Sequence, residues 1–344
     1  MKKFRKYLIW LFIILLLLVG LYPLPYFVEA PGAAQPTSQV IQVQRHPDHQ
    51  KGEFLFTTVA VKSGTALNLL LAKILPFQEI LPKKAVLGDN NNQEYERTQR
   101  YFMENAGNSA IEVACKKAHV SYHKQYLGIY VMSILPQSHF KKHLRVGDTI
   151  TQIDHQEFSN AQAFQHYVKT RQPGQKVTLT YKRQGKNRQV TRSLVSLNKQ
   201  HQSGIGITLV DHLRVHSRPA VQIHAGAIGG PSAGLMFALQ IYAQLKRQDL
   251  THGQIIAGTG TIDSQGNVGP IGGIDKKVYA AQKQHARIFF APQEKITRHM
   301  KHVHPHYQTN YQLAQRAAQR LHSPMKIVPV TSFTDAINYL QTHH

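Results

Sequence analysis

The sequence predicts an α/β (α+β) protein of about two domains that follow an N-terminal membrane-spanning helix. The chain has 344 residues, and one domain forms for roughly every 150 residues. From Tyr7 to Val28 no residue is charged, and about 20 apolar residues cross a bilayer as a helix. Farther along, short β-rich segments alternate with segments whose apolar residues recur at helical spacing.

The N-terminal segment has the composition of a membrane anchor. Residues 2–6 are almost all basic, and a basic flank stays cytoplasmic, so the rest of the chain is expected outside the cell. A cleaved signal peptide is the alternative, because Val28-Glu29-Ala30 resembles a cleavage site. Pro31 directly after that site disfavours cleavage. We therefore expect residues 1–28 to be a cytoplasmic tip and a retained transmembrane anchor in the cell membrane.

The composition is strongly basic, with a formal net charge of +23. Such an excess suits an anionic membrane or cell-wall surface as a partner. The basic residues are spread along the chain without a nucleic-acid fold signature, so we expect no nucleic-acid partner. The one cysteine, Cys115, cannot form an intrachain disulfide. It is expected to be a small buried hydrophobic residue.

Nucleotide and metal motifs are missing from the sequence. Gly185-Lys186 is followed by Asn187 rather than by the Ser or Thr of a phosphate loop, and Gly258 and Gly260 lack the third glycine of a dinucleotide fingerprint. The 21 histidines include no His-Glu-x-x-His, and there is no cysteine pair. We expect no cofactor, no metal and no ATP-driven step.

A glycine-rich turn brings a serine to the start of an apolar segment. Residues 228–235 read Ile-Gly-Gly-Pro-Ser-Ala-Gly-Leu, and dense apolar residues continue at helical spacing. Pro231 suits the first turn of a helix, which places Ser232 where free N–H groups and the positive helix end meet. Ser232 is then either a nucleophile beside an oxyanion hole or only a helix cap, because serine is a favoured N-cap.

A second helix start follows at Gly273. Its apolar face is formed by Ile274, Val278 and Ala281. Lys277 lies on that face, whereas Lys276 lies on the opposite one. Burial disfavours the charge of an amine and lowers its pKa, so Lys277 is a candidate general base at neutral pH. The alternative is a lysine whose amine extends from the edge of the face into water.

Together these residues resemble the proteolytic domain of Lon-type serine proteases. The resemblance rests on Gly-Pro-Ser-Ala-Gly at 230–234, Thr259, Pro-Ile-Gly-Gly at 270–273 and Lys277, and covers roughly residues 205–344. It implies a catalytic dyad of Ser232 as nucleophile and Lys277 as base. It also implies supporting roles for Thr259, which helps to hold the lysine, and for Gly230, Pro231, Ala233 and Gly273. Lon-type domains commonly form hexamer rings, so a homo-oligomer is possible.

The sequence departs from the family pattern at one position and offers His224 as an alternative base. Lon enzymes often carry an acidic residue directly before Gly-Pro-Ser, where this chain has Gly229. His224 is the histidine nearest to Ser232 in sequence, and Asp211 or Asp263 could complete a Ser-His-Asp triad with it. The resemblance assigns the role of base to Lys277 instead.

A second resemblance covers residues 125–198. Residues 144–150 read Leu-Arg-Val-Gly-Asp-Thr-Ile, and a short helix around residues 160–168 and a hairpin follow. This order resembles a bacterial PDZ domain, which binds an extended peptide at a sheet edge. The resemblance places that edge and the carboxylate loop at Leu127, Gly128, Ile129, Tyr130 and Val131. The alternative is a small β domain that only spaces the protease from the membrane.

The expected domains are the anchor at 1–28, a linker and the N-terminal part of the protease lobe at 29–124, the PDZ domain at 125–198, and the Lon-like proteolytic domain at 199–344.

As a whole the chain resembles the PDZ-containing, Lon-like membrane serine proteases of Gram-positive bacteria. The resemblance implies a membrane-anchored, ATP-independent serine endopeptidase. Its substrates would be peptides or flexible protein segments at the outer membrane face, presented by the PDZ domain. The alternatives are a catalytically inactive PDZ scaffold and a cell-wall or membrane binding protein.

Overall fold

A six-stranded mixed sheet forms the centre of the larger domain in the computed structural model, which describes residues 2–296, 298–303 and 306–343. The helices are α1 Lys2–Leu21, α2 Ala66–Ile74, α3 Lys83–Leu87, α4 Asn92–Ala118, α5 Ala161–Lys169, α6 Gly234–Lys246, α7 Ile274–Lys283, α8 Arg298–Val303, α9 Asn310–Arg320 and α10 Phe333–Thr342, with a 3-10 helix at Thr37–Gln39. The strands are β1 Pro23–Pro36, β2 Ile41–Val43, β3 Glu53–Thr65, β4 Glu79–Pro82, β5 Tyr122–Ile134, β6 Thr149–Ile153, β7 Lys176–Arg183, β8 Lys186–Ser193, β9 Val195–Ser196, β10 Ser203–Gly204, β11 Ile207–Ser217, β12 Val221–Ile223, β13 Ile255–Gly258, β14 Thr261–Ile262, β15 Val268–Gly269, β16 Ile288–Pro292 and β17 Lys326–Val330.

The central sheet has the strand order β17-β16-β13-β3-β1-β4 and is covered on both faces. The first four strands are parallel, and β1 and β4 continue it antiparallel. Successive strand residues face opposite sides, so Phe54 and Phe290 pack with α4, α6 and α10. Leu55 and Phe289 pack on the other face with α7 and α9. The central sheet is therefore buried between two layers of helices.

The smaller domain is an antiparallel sheet with the strand order β11-β5-β6-β7-β8, packed against α5. It has a core of its own, in which Val131, Ile150, Phe164 and Leu179 are almost fully buried. The domain is inserted between α4 and β12, because β12 returns to pair with β2 of the larger domain. The predicted fold class, an α/β lobe with an inserted β-rich domain, is confirmed.

The N-terminal segment differs from the prediction. A linker is expected from Glu29, but β1 begins at Pro23 and pairs with both β3 and β4. The β-forming residues Tyr26, Phe27 and Val28 therefore belong to the central sheet. The basic residues at its start leave α1 about 15 uncharged residues, fewer than the ~20 that span a bilayer. In the part of the chain that the structure describes, no helix is both long and apolar enough to cross a membrane, so the predicted transmembrane helix is not supported.

The smaller sheet takes its fifth strand from beyond the predicted domain boundary at residue 198. β11 pairs with β5 from Ile207 opposite Ile134 to Ser217 opposite Tyr122. A periodic pattern indicates that a segment is a strand, but it does not indicate the sheet that the strand joins. Residues 207–217, expected in the proteolytic lobe, therefore complete the inserted domain and lead back to the larger one.

Candidate active site

Ser232 lies in a tight turn directly before α6. The helix begins at Gly234 with Ala233 as its N-cap, and no side chain caps it. The expectation that Pro231 occupies the first helical turn is therefore wrong, and Ser232 is not a helix cap. Gly230 has a φ of 91°, a left-handed conformation that favours glycine, and its N–H donates to the carbonyl of Gln99 at 2.8 Å.

Gly229, where Lon enzymes often have an acidic residue, is packed directly against α4. A Cβ atom at this position would lie 2.7 Å from Cβ of Gln99, which is closer than non-bonded carbons approach. Because α4 occupies the space that a side chain would need, the departure from the family pattern follows from the packing of this loop.

Lys277 extends from α7 through the core to Ser232. Its side chain is 2% exposed, and Nζ lies 2.6 Å from Oγ of Ser232 and 3.0 Å from Oγ1 of Thr259. Burial lowers the pKa of Lys277 to about 7, and the negative charge of Glu29 opposes this shift. A large fraction of the amine is therefore neutral at pH 7 and is able to accept the proton of a hydroxyl group.

Thr259, which follows β13, links the lysine to the serine loop. The residue is fully buried, and its hydroxyl donates to the carbonyl of Ser232 at 3.0 Å while it accepts from Lys277. The N–H of Gly260 donates to the same Ser232 carbonyl at 2.8 Å. Two consecutive residues of the loop after β13 thus hold the serine loop close to the amine.

The turn also leaves two backbone N–H groups available. Those of Ser232 and Ala233 donate to no acceptor among the described residues, whereas the N–H groups of Gly234 and Leu235 donate to Pro231 and Gly260. Free N–H groups beside a nucleophile are the donors that an oxyanion needs. The arrangement is therefore able to stabilise negative charge next to Oγ of Ser232.

Glu29 is a carboxylate close to this site that sequence reasoning missed. It extends from β1 towards Gly273, the N-cap of α7, where an added Cβ atom would collide with its Oε1. Burial raises the pKa of Glu29, and the positive charge of Lys276 opposes that shift. No local signal could have found Glu29, because the sequence places it at the start of a linker.

Lys276, predicted to face away from Lys277, is buried as well. It is 3% exposed, and Nζ lies 3.0 Å from Oε2 of Glu79 and 3.3 Å from Oδ1 of Asp275. Burial lowers its pKa, but the hydrogen bond with Glu79 and the charges of Asp275, Glu29 and Glu79 more than offset this and raise the pKa overall. Lys276 is therefore a cation within an acidic cluster.

The residues of the alternative triad have other partners. His224 is exposed, with Nε2 3.3 Å from the Gln222 side chain. The Asp211 carboxylate accepts from the N–H of Ala161, and that of Asp263 accepts from residues 265 and 267 of its own turn. The hydrogen-bonding partner of the Ser232 hydroxyl is Lys277, so the geometry favours the lysine.

Cys115 lies in α4 and is fully buried. Burial raises the pKa of its thiol to about 11, so it is a packing residue rather than a nucleophile. Within residues 2–296, 298–303 and 306–343, no group of three or more His, Cys, Asp or Glu side chains is placed to hold a metal ion.

The predicted peptide edge is wrong. Leu127, Gly128, Ile129, Tyr130 and Val131 all lie in β5, which is an internal strand of the smaller sheet. Ile129 pairs with Asp211 of β11 on one side and with Ile150 of β6 on the other. An added peptide strand needs a free sheet edge, and β5 has none at these residues.

The free edge belongs to the first half of β11. A groove of about 200 Å³ separates it from α5 and has apolar walls formed by Phe164, Val168, Ile207 and Leu209. At its end, the N–H groups of Ile205 and Gly206 have no acceptor in the described parts of the chain. Their carbonyls accept from Oγ of Ser138 and the N–H of Leu135, which hold the loop in place. The groove fits an extended apolar peptide, and the two N–H groups fit a carboxylate.

Two family models match the chain. The model of the PDZ domain matches residues 111–194, and the model of the Lon protease (S16) C-terminal proteolytic domain matches residues 177–326. Ser232, Thr259 and Lys277 lie within the second match. The groove residues of β11 lie beyond the end of the first match. A comparison with curated proteins found no match.

Similar solved structures cover the smaller domain. The PDZ domain of the SdrC-like protein from Listeria monocytogenes is 38% identical, with 25% of this chain and 90% of that chain covered and a TM-score of 0.25. The corresponding domain from Listeria innocua is 34% identical, with 25% and 96% covered and a TM-score of 0.24. A protein from Geobacillus thermodenitrificans is 34% identical, with 24% and 94% covered and a TM-score of 0.22.

Proposed function

Because this chain joins a PDZ domain to a Lon proteolytic domain and so belongs with the PDZ-containing Lon-like proteases, we propose that it is an ATP-independent serine endopeptidase with a Ser232–Lys277 dyad. A Lon proteolytic domain is a peptidase domain of a serine protease family. The observation that carries the proposal is the 2.6 Å contact between Oγ of Ser232 and the amine of Lys277, whose pKa burial lowers to about 7.

In the proposed reaction, neutral Lys277 takes the proton of the Ser232 hydroxyl as Oγ attacks the carbonyl carbon of a peptide bond. The carbonyl oxygen becomes an oxyanion that accepts from the N–H groups of Ser232 and Ala233. The protonated Lys277 then gives its proton to the leaving amine, and an acyl group remains on Oγ. Lys277 then takes a proton from water as the water oxygen attacks the ester carbon, and it returns that proton to Oγ of Ser232 as the C–Oγ bond breaks and the acid is released. Thr259 keeps the amine aligned throughout, because its hydroxyl contacts Lys277 and the Ser232 backbone.

The groove between β11 and α5 is the proposed site at which the PDZ domain receives peptides. An extended segment would add to the free edge of β11 and bury alternate apolar side chains against Phe164 and Val168. A free C-terminal carboxylate would accept from the N–H groups of Ile205 and Gly206. The chain carries no nucleotide-binding motif, so the proposed substrates are exposed peptides and flexible segments rather than folded proteins.

Location and assembly remain predictions from the sequence. The basic N-terminus, the apolar residues after it and the net charge of +23 support a position at the outer face of a membrane or beside an anionic wall polymer. Retention of the intact chain on anionic vesicles, lost at high salt, would test this. Sedimentation would test the predicted homo-oligomer.

Reaction of Ser232 with an active-site probe tests the proposed chemistry. The intact chain, with Ser232→Ala and Lys277→Ala beside it, is incubated with a fluorophosphonate and with a bank of unstructured peptides. We expect a covalent adduct on Ser232 and peptide cleavage only in the unaltered protein. Equal cleavage by all three proteins would contradict the dyad, and the absence of both adduct and cleavage would favour an inactive PDZ scaffold.

A further inference from the structure

We propose that one turn of α4, residues 97–101, couples the peptide groove of the smaller domain to the loop that carries Ser232. The inference rests on the proposed function, because it concerns how peptide in the groove regulates the same site. Arg97 and Tyr101 on this turn contact the smaller sheet, and Gln99 between them contacts the serine loop, so the two sites share one helical turn.

The contact with the serine loop is made by Gln99. Its carbonyl accepts from the N–H of Gly230 at 2.8 Å, and its Cβ lies so close to Gly229 that no side chain fits there. Gly230 is only two residues before Ser232. A displacement of Gln99 therefore moves the Ser232 hydroxyl and the free N–H groups of Ser232 and Ala233 relative to Lys277.

The contacts with the smaller sheet are made by two tyrosine hydroxyls. Tyr101 of α4 donates to the carbonyl of Asp211 in β11 at 2.8 Å, and Tyr130 of β5 donates to the carbonyl of Arg97 at 3.1 Å. The two rings lie 4.3 Å apart and are 8% and 7% exposed. Buried aromatic contacts of this kind resist sliding, so movement of β11 is passed to the turn of α4.

Asp211 connects this contact to both walls of the groove. It belongs to β11, the strand to which a peptide would add, and its carboxylate accepts from the N–H of Ala161, the first residue of α5. A peptide inserted between β11 and α5 orders both walls and with them the Asp211 carbonyl. The ordering lowers the cost of holding residues 97–101, and hence the serine loop, in the aligned position.

The coupling is measured as a change in affinity, because two coupled sites change each other's dissociation constants by the same factor. The occupant of the active site is a peptide boronate, which bonds reversibly to Ser232. The occupant of the groove is an acetylated pentapeptide with apolar residues at alternate positions and a free C-terminal valine. We expect each to tighten the binding of the other to the intact chain by at least about 5-fold, the lower end of typical couplings. The C-terminal amide of the pentapeptide is the control for the carboxylate.

Two substitutions test the path of the coupling. Tyr101→Phe and Tyr130→Phe each remove one linking hydroxyl and keep the ring. Together they are expected to lower the coupling factor, while each ligand alone binds as before. The matched control is Tyr181→Phe, which removes a buried hydroxyl that donates to the carbonyl of His143 within the smaller domain. This control should keep the coupling factor of the unaltered protein. The comparison separates loss of coupling from a general loosening of the fold.

The outcomes distinguish this inference from the proposed function. If the boronate binds Ser232 and the factor is one, or is unchanged in the double variant, the coupling is wrong and the peptidase proposal stands. If the pentapeptide does not bind, the coupling is also overturned. If the boronate does not bind, the peptidase proposal fails, and amide hydrogen exchange then decides the coupling. The pentapeptide should slow exchange in residues 225–233 of the unaltered protein and leave it unchanged in the double variant.

Discussion

Two adjacent lysines of α7 are buried to nearly the same extent, but their pKa values are shifted in opposite directions. Lys276 and Lys277 are 3% and 2% exposed. The amine of Lys277 contacts two hydroxyl groups, and burial lowers its pKa to about 7 against the opposing charge of Glu29. The amine of Lys276 contacts the carboxylates of Glu79 and Asp275, which raise its pKa despite burial.

The difference shows that burial alone does not make a base of a lysine. Desolvation disfavours the charged amine in both cases, but a carboxylate within hydrogen-bonding distance restores the charge. Hydroxyl groups form hydrogen bonds with the amine but carry no negative charge that would stabilise its protonated form. The partners of each nitrogen therefore decide which lysine is able to accept a proton.

The largest effect is expected from exchanging each lysine for glutamine. Lys277→Gln removes the proposed base and should lower kcat by roughly 10²–10⁴-fold at every pH, the usual range for a general acid–base group. Lys276→Gln should lower kcat much less at pH 7, because the loss of a neighbouring positive charge favours the protonated form of Lys277 and raises its pKa without removing the base. Steady-state cleavage of a peptide at pH 7 and pH 9 measures both. Recovery at pH 9 only in Lys276→Gln supports the contrast, whereas recovery in Lys277→Gln would contradict it.

The pH profile of the unaltered protein should show the free amine as the active form. Below the pKa of about 7 for Lys277, kcat/KM is expected to fall about tenfold for each pH unit, because only the neutral amine accepts the serine proton. Above it, the profile should be flat until other groups titrate. A limb centred near pH 10, the range of an exposed lysine, would mean that the amine is hydrated in solution.

Stability should respond in opposite directions to the removal of each amine. Between pH 7 and pH 10.5 the unfolded chain keeps the Lys277 proton and the folded chain releases it. The free energy of unfolding should therefore rise with pH in this window, by at most about 1.4 kcal/mol per unit. Lys277→Met should be more stable than the unaltered protein at pH 7 and lose that slope. Lys276→Met should be less stable, because it leaves Glu79 and Asp275 unpaired. Urea unfolding at several pH values measures this, and an unchanged slope in Lys277→Met would refute it.

The smallest effect is expected from the distant carboxylate. Glu29 opposes the lowering of the Lys277 pKa, so Glu29→Gln should move the acidic limb of the kcat/KM profile to lower pH by less than about one unit. Glu79→Gln is the matched control, because that carboxylate pairs with Lys276. A shift to higher pH in Glu29→Gln would show that its charge acts on the amine in another way.

Local patterns were sufficient for some parts of this molecule and insufficient for others. The glycine-rich turn and the apolar face of α7 make Ser232 and Lys277 candidates, because turn conformation and helical spacing depend on neighbouring residues. The resemblance to Lon-type proteases then assigns them the dyad. The same reasoning fails for β1, whose residues it assigns to the anchor and to a linker, and for the peptide edge, which it places at residues of β5. Both errors concern which strands pair, and strand pairing joins residues far apart in the chain.

The amino-acid order already contained the serine turn before an apolar helix, the start of α7 at Gly273 and the apolar face on which Lys277 lies. Only the folded chain decided that Lys276 is buried too, that Glu29 lies beside the start of α7, that Gln99 lies at the serine loop, and that β11 borders the peptide groove. These features depend on desolvation and on contacts between distant segments, and neither exists until the sheet and its helices have packed.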